Sequence, residues 1–120
     1  SADLSHGYHP NYPDKTDPVL KNILNAGPVI KYNYSQSYAT DTESTSQIIL
    51  LCKKQNFDYQ KNVNHSEVRG GSTIGPKISS LLGCHCVDIG VAVLAMHSIR
   101  EFGGCKDFYQ MYGLMNAFFN

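Results

Sequence analysis

Helical and strand-like segments alternate along this chain, which predicts an α/β fold with a mixed sheet. Val29 to Asn33 is a short β-branched and aromatic run that follows the turn Asn25-Ala26-Gly27-Pro28, and it reads as a strand. Ile48, Ile49, Leu51 and Cys52 give an apolar side to a helix of about a dozen residues, capped by Thr40 or Asp41. In Phe57 to Val63, the residues Phe57, Tyr59, Lys61 and Val63 alternate with Asp58, Gln60 and Asn62, as in a half-buried strand.

The other elements follow from local chemistry. Residues 1 to 8 read as a strand, and His9 to Pro18 as a loop rich in proline, asparagine and aspartate. Tyr34 to Ala39 is polar and reads as loop. Glu43 in the first turn and Lys53-Lys54 in the last suit the dipole of the first helix. Gly70 to Pro76 is a glycine-rich turn. It leads into a helix over Lys77 to Leu82 that ends at Gly83. Cys84 to Ile89 reads as a buried strand, and Gly90 to Ile99 as an apolar connection. Asp107 is the expected cap of a last helix, Phe108 to Phe119, with Phe108, Met111, Tyr112, Met115 and Phe119 on its apolar side. The strands Val29 to Asn33, Phe57 to Val63 and Cys84 to Ile89 are few, and they would leave an exposed edge where upstream strands should pair.

At 120 residues the chain has the size of one small domain. Its formal net charge is zero, which argues against nucleic acid as the main partner, because phosphate binding needs clustered Lys and Arg. The longest apolar run, Val87 to Met96, is interrupted by Asp88 and Gly90 and is too short to span a bilayer. No signal peptide is visible at the start. The four cysteines, Cys52, Cys84, Cys86 and Cys105, read as reduced, buried thiols of a cytoplasmic protein. A structural zinc site on Cys84, His85, Cys86 and Cys105 is the sharper alternative, but it lacks a second cysteine pair at zinc-ribbon spacing.

The chemistry concentrates at the two ends of the chain. Asp3, His6 and His9 fall within seven positions, in Ser1-Ala2-Asp3-Leu4-Ser5-His6-Gly7-Tyr8-His9-Pro10-Asn11-Tyr12. On a strand Asp3 and His6 point to opposite sides, so they converge on one site only if the strand ends or bulges between them. His97 sits at the end of an apolar run and is followed at once by charge. One carboxylate and one imidazole are zinc-ligand types, yet two ligands cannot close a centre that needs three or four. Lys31 could bind a carboxylate and the Tyr38 hydroxyl could donate to an oxyanion. The bland alternatives are a strand-end aspartate, a core histidine, a surface lysine and a half-buried tyrosine. The glycine-rich turn lacks both the P-loop ending and the dinucleotide spacing, so it is read as a tight turn.

Four motifs then occur in order. The segment Ser1 to Tyr12 resembles the S-x-D-x-x-H-x-x-H-P-N-Y segment of the M18 aspartyl aminopeptidases. Gly27-Pro28-Val29-Ile30-Lys31 resembles that family's G-P-V-I-K, and Gly71-Ser72-Thr73-Ile74-Gly75-Pro76 its G-S/T-T-I-G-P. Leu94-Ala95-Met96-His97-Ser98-Ile99-Arg100-Glu101 is similar to its A-M-H-S-x-R-E.

The resemblance implies that residues 1–120 are the C-terminal segment of a zinc-exopeptidase-like catalytic domain. It implies an enzyme that removes N-terminal Asp or Glu from peptides with a water activated by two metals. Two Zn2+ per full-length subunit are implied, with Mn2+ or Co2+ as alternatives. By the same resemblance Asp3 and His97 are metal ligands, and His6, Lys31, Tyr38, Gly71 and Ser72 line the substrate site. A cytoplasmic homo-oligomer of the full-length protein is implied, with peptides as substrates and no nucleic acid or membrane partner.

The family's other ligands, its general-base glutamate and its inserted assembly domain fall before Ser1, so the isolated segment is expected to be inactive. Glu67-Val68-Arg69-Gly70 stands where many eukaryotic members carry a Pro-Cys pair, which suggests a bacterial-type branch. The alternative to an enzyme is a non-catalytic family remnant that acts as a binding or assembly subunit.

Overall fold

The computed structural model describes residues 1–120 as one mixed sheet with helices packed against it. Five strands, β1 (Ala2–His6), β2 (Val29–Tyr32), β3 (Gln60–Val63), β4 (Ile89–Leu94) and β5 (Phe102–Gly103), form the sheet. Three helices accompany it: α1 (Thr42–Gln55), α2 (Gly75–Leu82) and α3 (Cys105–Phe119). The order across the sheet is β1-β4-β2-β3, with β5 also on β4. The pairs β1–β4 and β2–β3 are parallel, while β2–β4 and β4–β5 are antiparallel.

The period of two along β2 separates core from cleft. Ile30 and Tyr32 point into a cluster with Ile48 and Cys52 of α1, Ile89 of β4 and Leu114 of α3. Val29 and Lys31 point to the opposite face. Burying Ile30, Ile48, Cys52, Ile89 and Leu114, with Tyr32 partly buried beside them, contributes on the order of 10 kcal/mol before chain entropy is subtracted.

The central strand lies later than the sequence predicts. Ile89 to Leu94, expected as a connection, is β4, and the expected strand Cys84 to Ile89 contributes only its last residue. Gly90 was read as a break, but it is what permits the pairing. A side chain there would press on the Asp3 carbonyl oxygen and on the Leu4 carbonyl carbon, each 2.8 Å from an added Cβ. β4 is buried on both faces from Ile89 to Val93, so it has no polar alternation to betray it.

The other shifts are smaller. β3 begins at Gln60 rather than Phe57; Phe57 and Tyr59 precede the ladder and pack against the core. The last helix starts at Cys105 with Gly104 as its N-cap, so Asp107 is not a cap. Asp107 is wholly buried, and its carboxylate accepts the N–H groups of Asn25 at 2.6 Å and Gly27 at 2.7 Å. It thereby fixes the turn that launches β2. Asp107, Gln110 and Leu114 form the buried stripe of α3, while Phe108, Tyr112 and Phe119 face outward. Met111 and Met115 of the expected apolar side do pack partly buried against the core, so the inward face is turned by one position from the expected stripe. Of the cysteines only Cys52 is buried; Cys84 and Cys105 are exposed, and all four are free.

Asp41 caps α1 in a capping box: its carboxylate accepts the Ser44 N–H at 2.7 Å, and Ser44 Oγ accepts the Asp41 N–H at 3.2 Å. The Ser44 bonds hold the Asp41 carboxyl below the usual carboxylate range. Such a depressed group stabilises the fold above its unfolded-state pKa and stops doing so as pH falls through the folded one. Asp41→Ala is expected to lower the stability of the intact protein by about 1 kcal/mol at neutral pH. In chemical denaturation the gap from wild type should close as the pH drops below about 4. Burial pushes the Cys52 thiol up to about 11, so it stays a thiol at neutral pH. Brief alkylation followed by mass spectrometry should leave Cys52 unmodified until denaturant is added.

Candidate functional site

One cleft of about 710 Å³ opens where the ends of β1, β2 and β4 meet the loops that follow them. Asp3 and His6 come from β1, Lys31 from β2, and Tyr38 from the loop between β2 and α1. Gly71 and Ser72 come from the turn before α2, and His97 from the turn after β4. All seven residues singled out in the sequence line this cleft. β1 runs unbroken from Ala2 to His6 in regular register with β4, so the strand neither ends nor bulges between Asp3 and His6 as expected from the sequence, and both line the cleft all the same.

Lys31 forms the floor. Only 5% of its side chain is exposed. Its ammonium donates to the Leu4 carbonyl at 2.9 Å, reaches an Asp3 carboxylate oxygen at 3.5 Å, and lies 4.6 Å from the centre of the Tyr38 ring. A buried ammonium is costly without partners, and these three supply them. Asp3 itself is half open, with 53% of its side chain exposed.

His97 is placed by backbone geometry. β4 ends at Leu94, and Ala95 (φ 54°) and His97 (φ 69°) are both left-handed. Non-glycine residues rarely adopt that region, and such strain concentrates at functional sites. The turn is tied by the Ser98 N–H to the Ala95 carbonyl at 3.0 Å.

Electrostatics set the protonation states. Burial, the Lys31 ammonium and His97 lower the His6 pKa, so its imidazole is neutral at neutral pH. Burial raises the Tyr38 pKa; the Asn64 side chain opposes the shift, and the carboxylates of Asp88 and Asp3 add to it. The phenol therefore remains a hydrogen-bond donor throughout the physiological range. His9 also lines the cleft, its Nδ1 accepting the Asn11 N–H at 3.2 Å and its ring 5.1 Å from that of Tyr12.

Asp3 and His97 offer one oxygen and one nitrogen donor to the cleft, the hard and borderline ligand types that zinc takes. No three His, Cys, Asp or Glu side chains of the chain gather closely enough to hold a metal by themselves. The two residues fit zinc in kind, but two donors are fewer than the three or four that a zinc centre takes. The same holds for Cys84, His85, Cys86 and Cys105, which form no metal-holding group; His85 instead lies 3.8 Å from Glu43.

Sequence reasoning missed two contributors. Asn64, in the cleft wall, is linked through Asn62 at 3.3 Å to Asn22 at 2.7 Å. Asp88 was read only as an interruption of an apolar run, although it is wholly buried. A lone carboxylate between valine and isoleucine was the available signal.

The family model described as aminopeptidase I zinc metalloprotease (M18) matches residues 1–119. A protein described as probable M18 family aminopeptidase 2, from Clostridium novyi, is 47% identical over 120 residues, which is 100% of this chain and 28% of that protein. Among solved structures, the complex of Ape4 and Nbr1 matches with a TM-score of 0.96 at 36% identity, covering 99% of this chain and 23% of the other. The mApe1 dodecamer from S. cerevisiae matches at 0.85 and 30% identity, over 99% of this chain and 26% of the other. The chain thus spans 28% of the length of the curated relative from Clostridium novyi.

Proposed function

We propose that this chain, which belongs to the M18 aminopeptidase I family of zinc metalloproteases, is the C-terminal segment of the catalytic domain of an aminopeptidase that removes N-terminal Asp or Glu from peptides. The observation that carries this reading is the meeting of Asp3, Lys31, Tyr38 and His97 in one cleft.

Asp3 would hold one zinc and His97 a second, with the remaining ligands and a glutamate base contributed from outside residues 1–120. When bound, the metal pair supplies a water of lowered pKa and a polarised scissile carbonyl. Mn2+ or Co2+ suit the same donors.

The chain's own residues bind and orient the peptide. Lys31 offers the only buried ammonium in the cleft, and the donor now facing Asp3 at 3.5 Å is the one a substrate carboxylate would take. That contact selects an acidic first residue, because a neutral side chain cannot make the charge-assisted bond. The protonated Tyr38 hydroxyl donates to the developing oxyanion. Neutral His6 lines the same end of the cleft without adding a charge that would compete with Lys31. At Gly71 an added Cβ would meet no atom within 4 Å, so the turn leaves open space, and with Ser72 it lets the peptide lie along the backbone.

No helix is long and apolar enough to cross a membrane, and the four free thiols suit a reducing cytoplasm. By analogy with the dodecameric relative, the full-length protein would form a homo-oligomer.

Metal analysis of the full-length protein, paired with assays on Asp- and Glu-aminoacyl fluorogenic substrates, tests this reading. About two metals per subunit and cleavage of both substrates are expected. Asp3→Ala and His97→Ala should each lower kcat at least about a thousandfold and reduce the metal content. A folded full-length protein that holds no metal and cleaves neither substrate would favour a binding or assembly subunit instead.

A further inference from the structure

Asp88 sits at the start of β4 with no exposed surface. Its Oδ2 accepts the Ala39 N–H at 2.6 Å. Its own N–H donates to Thr40 Oγ1 at 2.9 Å, and its carbonyl accepts the Lys31 N–H at 2.9 Å. The carboxylate therefore grips the segment that carries Tyr38, and its backbone is bonded to the residue that forms the cleft floor.

The other side of the same carboxylate faces α2. A Cβ on Gly75, the first residue of that helix, would collide with Oδ2 and come within 2.8 Å of Oδ1. Gly75 is buried there, so the helix start rests directly on the carboxylate. The turn that carries Gly71 and Ser72 runs straight into this helix, and the Thr73 N–H donates to the Ser37 carbonyl at 3.3 Å. Two walls of the cleft thus meet at one buried group.

That group is a poor choice for stability alone. Oδ1 is buried and has no hydrogen-bond partner. A buried carboxylate with an unpaired oxygen costs the fold, and a neutral residue of similar shape would cost less. The carboxylate also acts on the cleft at a distance: after burial of the ring, it is one of the groups that raise the Tyr38 pKa.

We propose that Asp88 is a positioning residue: it clamps the Tyr38–Thr40 segment onto the first turn of α2, so that the Tyr38 hydroxyl and the Gly71–Ser72 backbone present one fixed surface to the substrate. The proposal rests on the reading of Tyr38 as a donor to the substrate.

The test is a double-mutant cycle in the full-length protein on an Asp-aminoacyl substrate. Asp88→Asn keeps the size of the side chain but replaces the charge-assisted bond from the Ala39 N–H by a weaker neutral one, which loosens the clamp. It should lower kcat about tenfold or more, with KM changed less than about threefold and metal content unchanged. Losing one oxyanion donor costs about 10²–10³ in kcat, so Tyr38→Phe remains measurable. In that background Asp88→Asn should cost less than about threefold, because its effect passes through the tyrosine. If Asp88→Asn does not fold, Thr40→Val takes its place, since it releases the Asp88 N–H and should lower kcat in the same way. Full activity in the folded variant would overturn the proposal. An equal loss with and without the Tyr38 hydroxyl would also overturn it, by marking Asp88 as merely structural. A wild-type protein that does not cleave the substrate would instead defeat the functional reading on which the proposal rests.

Discussion

A buried ammonium organises this structure. Lys31 sits in the central part of the sheet with almost no exposed side chain, where an unpaired charge is costly. The fold has to bring a carbonyl, a carboxylate and an aromatic face to one point. Leu4, Asp3 and Tyr38 provide them from two segments that Lys31 does not adjoin in sequence. β1 supplies the first two because it runs parallel to β4 with Asp3 opposite Gly90. β2 reaches the same spot because Val29 pairs with that same Gly90 from the other side. The glycine is the pivot: both flanking strands meet it, and its missing side chain leaves room for the Asp3 and Leu4 backbone.

Core and cleft are two faces of the same few residues. Ile30 and Ile89 anchor the helical side, while Lys31 and Asp88, their immediate neighbours, serve the other. Packing that fixes the apolar residues also fixes the polar ones, because alternate side chains on a strand cannot move independently. This coupling explains why the site is carried by strand ends and the turns just beyond them. His97, like Ala95, is held left-handed just beyond the end of β4.

The sequence was legible where a single local rule decides. Thr40-Asp41 before α1, Gly83 after α2, and the β-branched run before Asn33 each announce their element. β4 was misplaced because a strand buried on both faces has no alternation, and because Gly90 looks like a break until its neighbour strand is known. Asp107 has the look of a cap because a carboxylate at a helix start usually is one; its true partners, Asn25 and Gly27, are some eighty residues away in sequence. In the cleft, the resemblance of four motifs marked seven residues that the fold brings together, whereas composition and spacing alone left each with a bland alternative. Asp88 is marked in the sequence only as a lone carboxylate between valine and isoleucine, since its significance lies in long-range contacts.

The most direct test of the organising role of Lys31 is the substrate preference of Lys31→Met in the full-length protein, measured at matched metal content. Met keeps the apolar length of the side chain and removes only the ammonium. The ratio of kcat/KM for Asp-aminoacyl over Ala-aminoacyl substrates is predicted to fall about 10- to 100-fold, the range of a lost charge-assisted hydrogen bond. A folded, metal-loaded variant with an unchanged ratio would contradict the account.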